Sequence, residues 1–384
     1  MTPPPRGFPD IEYRNRLGRA QSLMARADLA AMLLTSEAEI RYFTGFLTRF
    51  WESPTRPWFV IIPADGDPVA VIPCIGADLM VQSRSSDIRT WQSPVLKDDG
   101  IALLASTLVD LLPKGSQIGV PMGPETHLRM PLHSWADLQA RASALRFVGD
   151  ANILRQLRMF KSPAEVEKIR FACGIADRAF ARVPEIARTR VPLERVFRDF
   201  QRLCLEEGAD WIGYLAGGAG TGGYRDVISP ASDRTLQAGD VLMLDTGCVW
   251  DGYLCDFDRN FAIGDVQAKT HAAHAHLIEA TQSAFEMARP GIRTCDLYQA
   301  MKAALSGHAM AGRYGHGLGM QLTEWPSIFP DDQTVLAEGM TMTLEPAVSL
   351  GAGRMLVHEE NIVITKTGAA YLSRPADTPL PRLN

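Results

Sequence analysis

At 384 residues, 46% of them hydrophobic and 22% charged, the chain has the composition of an ordinary soluble globular protein. It exceeds the size at which one hydrophobic core stops growing, so two domains are expected. A net charge of -5 gives no general attraction to nucleic acid or anionic lipid, and no stretch approaches the ~20 apolar residues that span a bilayer. Those exclusions leave a small partner. The opening MTPPPRGFPD has consecutive prolines and no apolar h-region, so it does not read as an export signal. The six cysteines include no CxxC pair and read as reduced core thiols, which makes the cytoplasm the expected compartment.

In chain order, residues 11–150 alternate helix and strand signals. RLGRAQSLMARADLAAMLLT begins with helical periodicity and runs into the short apolar strand AAMLLT. WFVIIPADG and VAVIPC follow as strands, the first closed by a turn-forming Asp-Gly. IALLASTLVDLLPKG reads as a helix stopped by Pro113 and Gly115, and QIGVP as a further strand. Strands alternating with helices predict an α/β domain over 1–155. A second domain is expected over 156–384. Near its start Ser162 supplies a helix N-cap and Pro163 the first helical position, with Glu165 close behind. Another helix, VPLERVFRDFQRLCLEEG, ends at Gly208. From 209 the pattern turns to glycine-rich turns and buried strands, interrupted by helices over 268–288 and 294–306.

The chemistry concentrates in AGDVLMLDTGCVWDGYLCDFDRNFAIGD, residues 238–265. VLML reads as a buried strand, and Asp251-Gly252 is the strongest two-residue hairpin signal in the chain. With those two residues as the loop, Trp250 opposes Tyr253, Gly247 opposes Asp256, and Asp245 opposes Asp258. Asp245, Asp256 and Asp258 then share one face. Carboxylates crowded on a buried face repel one another. Protonation or a cation relieves that, and the cation is the more economical reading. RYGHGLGMQ (313–321) sets His316 among glycines, and GMTMTLEPAV (339–348) ends an alternating strand on Glu345. GRMLVHEENIVIT (353–365) carries Glu359 and Glu360 inside an apolar strand, where a charged pair is costly without a partner. Two Asp, one His and two Glu make a hard, oxygen-rich set suited to Mn, Fe, Co or Zn. Two such ions ~3.5–4 Å apart can share a hydroxide and supply a nucleophile at neutral pH.

These motifs resemble the pita-bread superfamily of methionine aminopeptidase, Xaa-Pro aminopeptidase, prolidase and creatinase. The DxG…DG…D segment matches through Asp245 and Asp256, GHGxG through His316, E-P through Glu345, and E-x-x-[VI]-x-[VI]-T through Glu359. SEAEIRYFTGF (36–46) and LRMFKSPAEVEKIR (157–170) resemble the N-domain and linker of the two-domain forms, so the likeness covers nearly the whole length. It implies an α/β N-terminal domain followed by an α+β pita-bread domain, assembled as a homodimer. The activity it implies is metal-dependent hydrolysis of a small C–N bond, with an Xaa-Pro dipeptidase or aminopeptidase as the default and a dipeptide or other small molecule as substrate. By the same resemblance Asp245, Asp256 and Glu359 are shared between two divalent ions, and His316 and Glu345 complete one of them. Glu345 doubles as a proton shuttle, and Arg259 orients carboxylates from behind.

Departures from the family pattern bear on the substrate. TGGYRDVISPASDR (221–234) holds no histidine where the peptidases carry one; Val227 or Ile228 stands near that place. HGLGMQLTEWP has Thr323 where they carry a second histidine. The alternative is therefore a non-proteolytic enzyme on the same metals, of the kind that opens ectoine's ring or cleaves dimethylsulfoniopropionate. A non-catalytic binding module ranks lower, because all five ligand positions are filled. Asp258 stands where threonine is usual: it is a candidate ligand or general base, or else a partner of Arg259.

The remaining signals are plainer. His271, His274 and His276 read as a solvated helix face. His358 faces away from the metals as a supporting or packing residue, and Glu360 stands beside the ligand. LAGGAGTGGY (215–224) lacks the ending of a phosphate loop and reads as a flexible loop at the pocket mouth. In RFWESPTRPW (49–58), Arg49, Trp51 and Arg56 are candidates to recognise an anionic or apolar substrate group, against the reading as ordinary loop residues.

Overall fold

The computed structural model describes residues 2–53, 56–305 and 307–384. Pro54 and Thr55 of the 49–58 segment, and Ser306 at the end of the expected 294–306 helix, lie outside them. The chain divides into two units, one of residues 5–158 and one of residues 159–384 together with the described residues before Pro5.

In the N-terminal unit, β1 (Ala31–Leu34), β2 (Phe59–Pro63), β3 (Val69–Pro73), β4 (Asp87–Trp91), β5 (Gln117–Val120) and β6 (Arg146–Gly149) form one sheet, ordered β4-β3-β2-β1-β5-β6. β1 is antiparallel to β2 and parallel to β5, so the sheet is mixed. Helices α1 (Asp10–Arg26), α2 (Glu37–Thr44), α3 (Ala77–Met80), α4 (Ile101–Leu111), α5 (Leu132–Arg141) and α6 (Ile153–Met159) alternate with the strands, except that β2 runs directly into antiparallel β3. β1 is buried along its whole length, which is why all four residues are apolar. Leu33 and Ile61 share a core cluster with Leu104 and Leu108 of α4, and each such side chain contributes ~2 kcal/mol by leaving water. Trp51 belongs to this unit's interior. Its ring lies 6.0 Å from that of Trp58, and Arg129 stacks 5.2 Å above it while donating to the Trp51 carbonyl at 2.6 Å. Arg129 also donates to the Arg56 carbonyl at 3.3 Å.

The C-terminal unit opens on α7 (Pro163–Ala181), capped reciprocally: the Ser162 side chain accepts from the Glu165 N–H, and the Glu165 carboxylate from the Ser162 N–H. Then come α8 (Val183–Ile186), α9 (Leu193–Glu206), β7 (Trp211–Thr221), β8 (Asp240–Trp250), β9 (Tyr253–Leu254) and β10 (Phe257–Ile263). α10 (Ala268–Met287) and α11 (Thr294–Ala304) precede β11 (His316–Gly317), β12 (Glu324–Ser327), β13 (Thr341–Leu344), β14 (Ala347–Gly351) and β15 (Arg354–Val357). β16 (Glu360–Ile364), β17 (Ala369–Tyr371) and β18 (Arg382–Leu383) complete the unit. One sheet runs β18-β10-β8-β7 with β9 on β8, a second runs β12-β11-β13-β16-β17, and β14-β15 is a separate hairpin.

Asp251 and Gly252 form the β8–β9 turn with φ of 46° and 66°, as a two-residue loop of this kind requires. The register follows: Trp250 faces Tyr253, Val249 faces Leu254, and Asp245 faces Asp258.

Three sequence readings are corrected. LAGGAGTGGY is mostly strand: through Thr221 it is β7, an edge strand with Ala216 opposite Asp245. Its glycines serve close packing, since a Cβ on Gly217 would come within 2.2 Å of the Met243 carbonyl oxygen. The pair Glu359–Glu360 does not lie inside one strand. β15 ends at Val357 and β16 begins at Glu360 in another sheet, so His358 and Glu359 form the junction. Finally, His274 is buried, with its ring 6.2 Å from that of His358 and its Nε2 3.4 Å from the Asp377 carbonyl. The inward face of α10 is Ala273, Leu277, Ala280 and Ala284, whose small side chains bring His274 with them.

Candidate metal centre

Asp256, His316 and Glu359 converge: a ligand-type atom from each lies within 4.8 Å of the others, and all three residues are buried. Asp256 sits between β9 and β10, where the Asn361 side chain pins its backbone. The Asp256 N–H donates to Asn361 Oδ1 at 3.0 Å, and Asn361 Nδ2 donates to the Asp256 carbonyl. His316 opens β11 after Gly315, whose φ of 139° brings the chain so close to β13 that a Cβ would meet the Thr343 carbonyl oxygen at 2.2 Å. His316 Nδ1 stands 2.9 Å from the Gly317 carbonyl, which assigns the proton to Nδ1. Nε2 is left to face Asp256 Oδ2 at 3.4 Å and Glu345 Oε2 at 4.0 Å. Burial, and then the charge of Arg313, lower the imidazole pKa to about 4, so it is neutral at pH 7 and able to ligate.

Asp245 and Glu345 complete the acidic group. Asp245 Oδ1 and Glu359 Oε1 are buried and have no hydrogen-bond partner among the described residues. Burial raises the Asp245, Asp256 and Glu359 carboxyls well above the usual range, and the negative charge of neighbouring carboxylates, Glu345 and Asp258 included, adds to it. Burial also brings Glu345 up to about 7, although its side chain is one-third exposed and forms the accessible wall. Tyr214 on β7 is half-buried beside the same carboxylates; burial and their charge raise its phenol, so it stays neutral. Hard oxygens left unmatched, next to one neutral imidazole nitrogen, are the donor set that a divalent cation satisfies.

Asp258 shares the Asp245 face in register, yet its oxygens turn to the protein. Oδ1 accepts the Glu359 N–H at 2.8 Å and lies 3.5 Å from His358 Nδ1, while Oδ2 accepts from Asn260 Nδ2 at 3.4 Å. Glu360 is equally committed: Oε2 pairs with Arg259 at 3.0 Å and accepts from Ser373 Oγ, while Oε1 accepts the Ala376 N–H and lies 3.2 Å from His358 Nε2. Burial opposes its charge, but Arg259 and His358 outweigh that and bring Glu360 down to about 2. Burial likewise disfavours a His358 cation, yet Asp258 and Glu360 on either side raise its pKa. Arg259 also donates to the Glu359 carbonyl at 3.0 Å, so Glu359 is held at both backbone groups. Thr323 is half-buried on a segment tied down by Glu324, whose carboxylate accepts the Met320 and Gln321 N–H groups and pairs with buried Lys161 at 3.0 Å.

Tyr214, Asn361 and the Lys161–Glu324 pair escape the sequence reading. An amide inside ENIVIT was a usable signal for Asn361. Tyr214 had none, and Lys161 meets a partner 163 residues away.

Comparison with known proteins agrees with this architecture. Residues 167–366 match Metallopeptidase family M24, and residues 16–160 match the Creatinase/Prolidase N-terminal domain. The chain is 29% identical over 374 residues, 96% of either chain, to the probable dipeptidase PepE of Mycobacterium tuberculosis. It is 30% identical over 249 residues to an Xaa-Pro dipeptidase of Pyrococcus horikoshii, covering 62% of this chain and 69% of that one. The crystal structure of dipeptidase PepE from Mycobacterium ulcerans superposes with a TM-score of 0.84 at 27% identity, covering 98% of this chain and 100% of that one. The fold is thus an α/β N-terminal domain followed by an α+β pita-bread domain.

Proposed function

The chain belongs to metallopeptidase family M24 and is a metal-dependent hydrolase, and from that premise we propose that it is a dinuclear-metal dipeptidase of Xaa-Pro type. The observation that carries the reading is the convergence of Asp256, His316 and Glu359 beside the orphaned oxygens of Asp245 and Glu359. Those residues, with Glu345, would hold two divalent ions, manganese first among Mn, Fe, Co and Zn. When bound, the ions polarise the scissile carbonyl and acidify water, so that attack proceeds at neutral pH. Glu345, on the open wall, takes the proton that the attacking water gives up and returns it to the departing amine. Asp258 and Arg259 keep Glu359 in place from its backbone side.

A dipeptide substrate is supported by the names of the relatives, a probable dipeptidase and an Xaa-Pro dipeptidase. A homodimer in the cytoplasm, with domains over 1–155 and 156–384, belongs to the same reading. Of the 49–58 segment, Arg49 and Arg56 are the candidates for contacting substrate, Trp51 being packed in the N-terminal core. Thr323, half-buried where the peptidases carry a histidine, favours a second reading, ring opening or lyase chemistry on the same ions. A substrate panel separates the two. Manganese-reconstituted protein is expected to turn over Xaa-Pro dipeptides; turnover confined to small cyclic amides or to sulfonium and betaine compounds would overturn the peptidase reading.

A further inference from the structure

An arginine pair stands outside this chemistry. Tyr224 and Met355 form an isolated antiparallel bridge, with the Met355 N–H donating to the Tyr224 carbonyl at 2.8 Å. Arg225 and Arg354 are residues that flank that bridge. Among the described residues neither guanidinium has an ion pair or hydrogen bond. The acid beside them, Asp226, is engaged by the Ile228 N–H and the Ser229 hydroxyl. The nearby Arg234 differs: Asp240 matches it at 2.8 Å. Arg225 and Arg354 line a cleft of about 620 Å³ whose floor is the glycine-rich stretch of β7, Gly217 to Thr221.

Two backbone links lead from the cleft toward the metal centre, whose ligand residues are not among the described cleft lining. Gly217 follows Ala216, which faces Asp245 in register. The Tyr224 hydroxyl, in the cleft wall, accepts the Val357 N–H at 2.7 Å, two residues before Glu359.

We propose that Arg225 and Arg354 form an anion subsite that holds a carboxylate of the substrate while its scissile bond lies at the centre. The proposal deepens the peptidase reading and rests on it. A carboxylate in the cleft can take charge-assisted hydrogen bonds from both guanidinium groups, for which the planar fork of arginine is suited. Within peptides that carboxylate has two sources, the C-terminus and an acidic side chain.

Kinetics on manganese-loaded protein distinguish them. Ala-Pro against its C-terminal amide probes the terminus, and Glu-Pro against Gln-Pro probes the side chain. In the double variant Arg225→Ala/Arg354→Ala, KM for the recognised carboxylate is expected to rise about tenfold with kcat within about threefold. The neutral counterpart should be unchanged, and Arg225→Lys/Arg354→Lys should recover part of the loss. Equal effects on charged and neutral substrates, or none, overturn the subsite. Wild-type protein that cleaves no peptide would instead sink the peptidase reading. Calorimetric titration with N-acetylproline and N-acetylglutamate then decides the subsite alone: weakening of about tenfold in the double variant supports it, and equal binding refutes it.

Discussion

Two sets of buried carboxylates lie side by side in the C-terminal unit, and their surroundings differ in kind. Asp256 and Asp258 are two residues apart and Glu359 and Glu360 are adjacent, yet the first of each pair sits in the ligand cluster and the second does not. Among the described residues Asp245 and Glu359 each keep an oxygen without a partner, and with Asp256 they are driven toward protonation. Asp258 and Glu360 flank His358, and Glu360 also pairs with Arg259. The protein thus pairs the supporting carboxylates with cations of its own, whereas the ligand carboxyls stay raised by burial even with the charge of Arg313 acting on Asp256 and Glu345. A buried charge without a partner is tolerated only when a metal or proton supplies one.

The largest test breaks the ligand side. Asp245→Ala should lower kcat/KM of manganese-loaded protein by about 10³-fold or more. Metal-free melting should hold or rise, because a repulsive charge is gone; a fall of several degrees would move Asp245 to the supporting set. Next, Arg259→Met deprives Glu360 of its cation and should cost ~3 kcal/mol in denaturant unfolding. An unchanged midpoint would show that Ser373 and His358 suffice.

The ligand carboxyls and Glu360 pull stability in opposite directions with pH, and Asp258, raised by burial, goes with the ligands. Raised carboxyls make the metal-free folded chain bind protons more tightly than the unfolded one. Their contribution is full below ~4 and is lost as pH rises, through about 7 for Glu345. Glu360 is depressed, so its contribution is full above ~4.5 and is lost as pH falls through about 2. Between pH 5 and 8, melting with chelator should therefore decline, and added manganese should flatten the curve. A chelated curve that climbs across this interval would contradict the assignment. The smallest effect sharpens the boundary. Asp258→Asn keeps an acceptor for the Glu359 N–H and should leave manganese affinity within about threefold, whereas Asp258→Ala should weaken it by about tenfold. Loss of binding in Asp258→Asn would make Asp258 a ligand.

Much of this was legible where the signal is local. The Asp251-Gly252 turn and the period of two along β8 and β10 are enough to place Asp245 opposite Asp258. The capping box at Ser162 and the apolar runs of the N-terminal sheet are equally local. Glycine misled at 215–224, because the same residue permits a loop and a close-packed edge strand. Alanine misled on α10, because a stripe of small side chains hides which face of the helix is buried and so hid His274. The break at His358–Glu359 depends on a change of sheet, and the meeting of Arg225 and Arg354 in one cleft on the distant bridge between Tyr224 and Met355. Neither leaves a mark in its own window.

Metal content tests the account most directly. Protein reconstituted with manganese and desalted should carry about two ions per chain, and Glu359→Gln should carry fewer. Well under one ion per chain in the wild type, after manganese or iron supplementation, would contradict the centre.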